Sequence, residues 1–192
     1  MKNSPLPRLD TSGRTKAGRR LLIRQEEPAD IPHITAIEED AFQRPDEAAL
    51  VVRLRAAGAI WLSQVALLDG NIVGHALYSL AAIICDGAAV REYPALGPIA
   101  VARAHQKQGI GGALIRAGLQ AAKDAGYGLM FLVGHPSYYP RFGFQPALPL
   151  GFTSDYVQDS RRHEHFMVAV LDESLPASPR GHLRFHPAMD GV

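Results

Sequence analysis

The chain has little cysteine and no long apolar run. Cys85 is its one cysteine among 192 residues, so neither an intramolecular disulfide framework nor a multi-cysteine zinc site is open to it. Cys85 ends the apolar run AAIIC, where a buried, unreactive thiol is expected rather than a nucleophile. No segment approaches 18 consecutive apolar residues, which argues against a membrane-spanning helix. The first residues lack the apolar centre of a secretory signal. A cytoplasmic protein with no membrane partner is therefore expected. Internal repeats and low-complexity tracts are also missing.

Hydrophobic residues make up 47% of the chain and charged residues 20%, enough for one packed core at a length typical of one domain. The net charge of +1 is unevenly placed. Residues 1–20 hold Lys2, Arg8, Arg14, Lys16, Arg19 and Arg20 against Asp10 alone, a local +5 that leaves the rest at −4. This basic stretch reads as a disordered, solvated tail, with contact to nucleic acid or an anionic surface, or an organellar address, as its functional alternatives. No nucleic-acid partner is expected. A folded domain is expected over 21–172, with a C-terminal extension, 173–192, packing on it.

Residues 21–24 suit a strand. Pro28 suits a helix start, followed by apolar positions at Ile31, Ile34, Ile37 and Ala41. A second helix is expected over 45–57, with Leu50, Val51 and Leu54 inward and Gly58 at its end. Asp69-Gly70-Asn71 between two apolar runs predicts a hairpin of 60–68 with 72–84. Residues 86–94 read as a polar loop. LGPIAV (96–101) reads as a strand in which Pro98 marks an edge, a bulge or a splayed position. Ile110, Ala113, Leu114, Ala117 and Ala121 mark one face of a helix over 109–125, stopped by Gly126. LMFLV (129–133) suits a strand buried on both faces. A turn over HPSYYPRFGF and a last strand over 165–171 follow, with a small strand at 182–186. The fold class is mixed α/β: one central mixed sheet, antiparallel in its first half, without the strict βαβ alternation of a dinucleotide fold.

The helix at 109–125 opens with Gly109, Gly111 and Gly112, although glycine inside a helix costs about 1 kcal/mol relative to alanine. A helix N-terminus offers free N–H groups and partial positive charge, and glycines there let an anion approach the backbone. A diphosphate is the natural ligand. A Walker loop needs Gly-Lys-Ser/Thr, which Gly111-Gly112-Ala113 does not supply. A Rossmann fingerprint needs its first glycine directly after the strand, whereas residues 102–108 intervene here. Gln/Arg-x-x-Gly-x-Gly/Ala is matched at every defined position by Gln106-Lys107-Gln108-Gly109-Ile110-Gly111.

With that pattern, LGPIAVARAHQKQGIGGALI resembles the coenzyme-binding segment of the GNAT superfamily of N-acetyltransferases. YYPRFGF resembles the same family's tyrosine-containing turn. The combination GPIAV, QGIG, GHPSYYPRFGFQPA and RGHLRFHPAM is similar to one bacterial subgroup of small acetyltransferases. The resemblance spans roughly residues 21–188. It implies strands splayed near Pro98 and acetyl-CoA as cosubstrate. It implies a coenzyme site formed by Ile99, Ala100, Val101, Lys107, Gln108, Gly109, Ile110, Gly111 and Gly112, with Arg103 near the phosphates. It also implies an oxyanion donor among the backbone N–H groups near Ile99 and Ala100, and Tyr139, four residues before Gly143, as proton donor to the departing thiolate. Gly118, in mid-helix, reads instead as a packing glycine.

The sequence departs from well-studied relatives at the base. Their fifth-strand glutamate is replaced within LMFLV, and Gly134-His135-Pro136 follows. His135 is the first candidate because it titrates near neutrality; His75, Asp86 and Glu92 are weaker ones, and a water relay is an alternative. The run Arg161-Arg162-His163-Glu164-His165 lacks the spacing of a helical zinc site, so no metal is expected. Glu38, Glu39, Asp40, Asp46 and Glu47 read as a solvated helix face or as an attractor for a cationic substrate. The expected function is acetyl transfer to a primary amine of a small molecule or a protein. A non-catalytic acyl-CoA sensor and a transferase for another acyl group are the alternatives. A monomer or homodimer fits.

Overall fold

A computed structural model describes residues 10–15, 17–157, 160–172 and 181–190. In chain order the elements are β1 (Asp10–Arg14), β2 (Arg20–Gln25), α1 (Ile31–Phe42), α2 (Asp46–Ala56), β3 (Ile60–Leu68), β4 (Asn71–Cys85), β5 (Ala88–Val101), α3 (Ile110–Asp124), β6 (Leu129–Val133), β7 (Phe144–Pro146), β8 (Phe152–Ser154), β9 (Phe166–Val170) and β10 (Gly181–Arg184). The strands form one mixed sheet in the order β1-β2-β3-β4-β5-β6-β9-β7, with β10 pairing β4 and β8. From β1 to β5 every pairing is antiparallel, and β5–β6 is parallel. This is the architecture expected from the residue pattern.

The alternation of β3 and β4 assigns the helices to opposite faces. Leu62, Ala66, Ala76 and Tyr78 pack with Ile110, Leu114, Ala117 and Ala121 of α3. Val65 and Leu77, one residue out of phase, pack with Ile34 of α1 and Leu50, Val51 and Leu54 of α2. Successive side chains of a strand point to opposite faces, so α3 covers one face and α1 with α2 the other. Gly118 lets α3 sit close: a Cβ there would lie 2.1 Å from the Tyr78 hydroxyl, which donates to Leu114 O at 3.1 Å.

Two expectations about element boundaries are corrected. Residues 86–94 are not a loop: Asp86 and Gly87, with φ of 50° and 81°, turn β4 directly into β5. The stretch 1–20 is not wholly a tail, because Asp10–Arg14 adds an edge strand to β2; residues 1–9 and 16 lie outside the described residues. The small strand expected at 182–186 is found at Gly181–Arg184, which pairs antiparallel with β4 and parallel with β8. Cys85, at the turn, is half-buried. Residues 160–165, which hold the run Arg161–His165, form a 3₁₀ segment before β9. Among the described residues no helix is long and apolar enough to cross a membrane.

Candidate active site

The site begins where two strands part. β5 and β6 pair only at Ala95–Phe131 and Leu96–Leu132. β5 then carries one extra residue between Leu96 and Ile99 relative to β4, a bulge that bends the strand, and the peptide Gly97–Pro98 within it is cis. From there to Val101, β5 keeps β4 as its neighbour, and among the described residues its β6-facing edge has no ladder partner. The proline marks both the bulge and the splay.

A 3₁₀ turn at Arg103–His105 and the residues up to Gln108 lead from that edge into α3. The Gln106 side chain donates to Val101 O at 3.0 Å, and Arg103 N–H donates to Asp40 Oδ2 at 2.7 Å, so the loop is fastened to the strand and to α1. Lys107 has φ of 62° and Gly109, the residue capping α3, φ of 89°. Open space surrounds a Cβ built on Gly109, so its glycine is needed for the left-handed backbone and not for room. Gly111 and Gly112 differ. A Cβ on Gly111 would come within 3.1 Å of the Tyr138 hydroxyl, and one on Gly112 within 3.1 Å of the Phe142 ring. These two glycines let the aromatic turn at Tyr139–Phe142 close over the first turn of α3.

The resulting cleft has a volume of about 670 Å³ and is lined by Ile99, Ala100 and Val101, by Lys107, Gly109, Ile110, Gly111 and Gly112, and by the aromatic turn. Eight of the nine residues expected at the coenzyme site therefore share one cavity. Gln108 stands apart, with its amide turned toward Ala104 O at 3.5 Å. Motif reading missed Arg116 and Arg141, which also line the cleft and lie over the rings of Phe142 and Tyr138 at 5.7 and 4.9 Å. Their signal was position: Arg116 stands one helical turn beyond Gly112, and Arg141 inside the aromatic turn. Among the described residues no carboxylate lines the cleft. With the free N–H groups at the start of α3, the cavity is built for a polyanion.

Tyr139 and Tyr138 both line the cleft, their rings perpendicular with centroids 5.1 Å apart. Tyr139 packs on Gly134, where a Cβ would fall 2.3 Å from the ring. Burial, and then the neighbouring Tyr138, pushes its phenol up to about 12. His135 is not brought to the cleft. It is exposed, with Nδ1 3.0 Å from Ser137 Oγ and its ring 6.1 Å from that of His165. His75 is instead fully buried on the α1 face, 2.6 Å from Glu38 and 2.9 Å from Ser63. Asp86 and Glu92 lie in the exposed β4–β5 hairpin.

Comparison with known proteins agrees with this geometry. Residues 24–144 match the profile of the Acetyltransferase (GNAT) family. The chain belongs to that family. It is 32% identical over 159 residues to YjhQ of Escherichia coli strain K12, an uncharacterized N-acetyltransferase, covering 81% of this chain and 87% of YjhQ. A GNAT acetyltransferase from Brucella melitensis, solved in complex with acetyl-CoA, superposes with a TM-score of 0.70 at 35% identity, covering 88% of this chain and 98% of that one. YhbS of Escherichia coli, solved with CoA, superposes with a TM-score of 0.78 at 27% identity, covering 98% and 95%. The cleft of this GNAT protein has a basic rim of Lys107, Arg116 and Arg141.

Proposed function

We propose that this protein is a cytoplasmic enzyme that transfers the acetyl group of acetyl-CoA to a primary amine, by direct attack within a ternary complex. One observation carries the reading: the glycine-rich first turn of α3 opens into a cleft rimmed by Lys107, Arg116 and Arg141, with no carboxylate among the described residues of its lining. A pyrophosphate finds there unpaired backbone donors, partial positive charge and three cations. The splayed edge of β5 offers unpaired backbone groups to the amides of the pantetheine arm. A backbone N–H near Ile99 or Ala100 is the donor for the carbonyl oxygen as negative charge develops. The acceptor, a small molecule or a protein amine, approaches from the face covered by α1 and α2.

Tyr139 then has a defined task. A phenol raised to about 12 stays protonated at any working pH. A thiol leaving group has a pKa of roughly 8.5, so full proton transfer from this phenol runs uphill. Tyr139 therefore stabilises the departing thiolate as a hydrogen-bond donor. Tyr139→Phe should bind acetyl-CoA like the wild type yet acetylate an accepted amine about 100-fold more slowly, measured as CoA release. Equal turnover would remove Tyr139 from the mechanism. A wild type that binds acetyl-CoA but turns over no primary amine, with acetyl, succinyl or longer acyl donors, would make the protein a coenzyme sensor instead.

A further inference from the structure

The coenzyme cleft lies on the α3 side of β5. On the other side of the same bulge stands the C-terminal segment, a 3₁₀ turn at Pro187–Met189. Two contacts place it. A Cβ built on Gly97 would lie 3.9 Å from the Met189 methyl. Ser79 Oγ donates to Met189 Sδ at 3.6 Å. Ser79 is fully buried on β4, opposite Ala95 of β5. It is in phase with Leu77, which packs under α1 and α2, and out of phase with Tyr78, which packs under α3. Met189 therefore sits on the face opposite the coenzyme, with its methyl against the bulge. Gly97 and Met189 are both half-buried, so the spot is open to solvent on that face.

Methionine is a flexible side chain, but this one is held. Arg53 of α2 donates from Nε to Ala188 O at 3.3 Å, and the Tyr156 hydroxyl donates to Met189 O at 2.5 Å. The turn also closes on itself, with Ala188 N–H donating to His186 Nδ1 at 3.1 Å. The last residues of a domain stay ordered only when tied down, and these are tied on two sides. With its sulfur on Ser79 as well, the thioether is a fixed wall.

The splay decides what that wall borders. β5 and β6 last pair at Leu96–Leu132, so the gap between them opens at Gly97. A thioester held on the α3 side and an amine arriving from the α1–α2 side meet through that gap. With the acetyl carbonyl against an N–H near Ile99 or Ala100, just beyond Gly97, the carbon that carries the amine passes the Met189 methyl.

We propose that Met189 is a specificity-determining residue: it walls the acceptor side of the gap and restricts acceptors to amines on an unbranched carbon. This rests on the acyl-transfer reading above. The acceptor is then an alkyl CH₂–NH₂ group, such as a lysine side chain carries, and not the α-branched amine of an amino acid or a protein N-terminus. A methyl branch beside the nitrogen needs the volume that the thioether fills, and packed side chains yield such volume only at a cost.

The test sets isomeric amines against each other, propylamine with isopropylamine and hexylamine with 2-aminohexane, measuring CoA release. The wild type should favour the unbranched member of each pair. Met189→Ala should raise the branched-to-unbranched ratio of kcat/KM about tenfold or more, with acetyl-CoA affinity unchanged by calorimetry. Met189→Leu, of similar volume, should keep the wild-type ratio. A purely structural role would lower both isomers alike; that result, or an unchanged ratio in Met189→Ala, overturns the proposal. Should Met189→Ala not fold, or the wild type accept none of these amines, ¹³C-methyl methionine spectra of the wild type decide. The Met189 resonance, identified by its loss in Met189→Leu, should differ between the acetyl-CoA and CoA complexes, while those of the buried Met130 and Met167 should not. Acetyl-CoA binding without that difference sinks this proposal alone, whereas a folded wild type that binds no acetyl-CoA sinks the transferase reading with it.

Discussion

On the α3 face the sheet is covered mainly by apolar contact, and the end of that layer opens into a cleft built from backbone. On the α1–α2 face the cover is crossed by buried polar links: Arg24–Asp30, Arg44–Glu47, and the chain from Glu38 through His75 and Ser63 to Glu26 and Arg55. In the proposed reading the first face holds the coenzyme through N–H groups and glycines. The second presents individual side chains, and in the same reading it is where the acceptor is distinguished. A shared coenzyme and a private acceptor call for those two kinds of construction.

Substitutions on each face sharpen the contrast. The largest effect is expected at Gly118→Leu, which drives a side chain into the Tyr78 ring and its bond to Leu114. Stability should fall by about 3 kcal/mol or more, read from urea unfolding; a loss under about 1 kcal/mol would mean that α3 does not need its close approach. Next comes Asp30→Asn, which breaks a largely buried fork to Arg24 and should cost about 2 kcal/mol. The hydrogen bond from Arg24 holds the Asp30 carboxyl below the usual range. Its folded pKa thus lies under the unfolded value of about 3.9. Its stabilisation is full above that pH and fades as pH falls through the folded value, so the wild-type advantage over Asp30→Asn should shrink only in strong acid. The smallest effect is expected at Arg116→Ala, which should weaken acetyl-CoA five- to tenfold (about 1 kcal/mol) and reduce the salt dependence of binding while leaving the melting temperature in place.

The two Asp-Gly turns show how much was legible. At Asp69-Gly70 both flanking runs are apolar and the hairpin can be read directly. At Asp86-Gly87 the same dipeptide makes the same kind of turn, but residues 88–92 are exposed on both faces. With no buried side there is no alternation to see, and the start of β5 reads as loop. β1 escapes notice for the same reason, as an exposed edge strand held by backbone pairing to β2. In the site, the glycine turn and Tyr139 are legible because they are local. Arg116 and Arg141 come to the cleft only once the aromatic turn folds over α3. His135 stands beside the motif in sequence and is exposed, whereas the 37-residue separation of Glu38 and His75 is closed only by the packing of α1 on β4.

The most direct test of the central claim, that the first turn of α3 holds the coenzyme's pyrophosphate, is calorimetric titration of acetyl-CoA into the wild type and Gly111→Glu. The substitution is compatible with a helix but puts a carboxylate where the anion is to sit. The account predicts saturable one-to-one binding by the wild type and a loss of about 100-fold or more in a variant whose melting temperature shows it folded. Equal affinity in the two proteins, or no binding by the folded wild type, would contradict it.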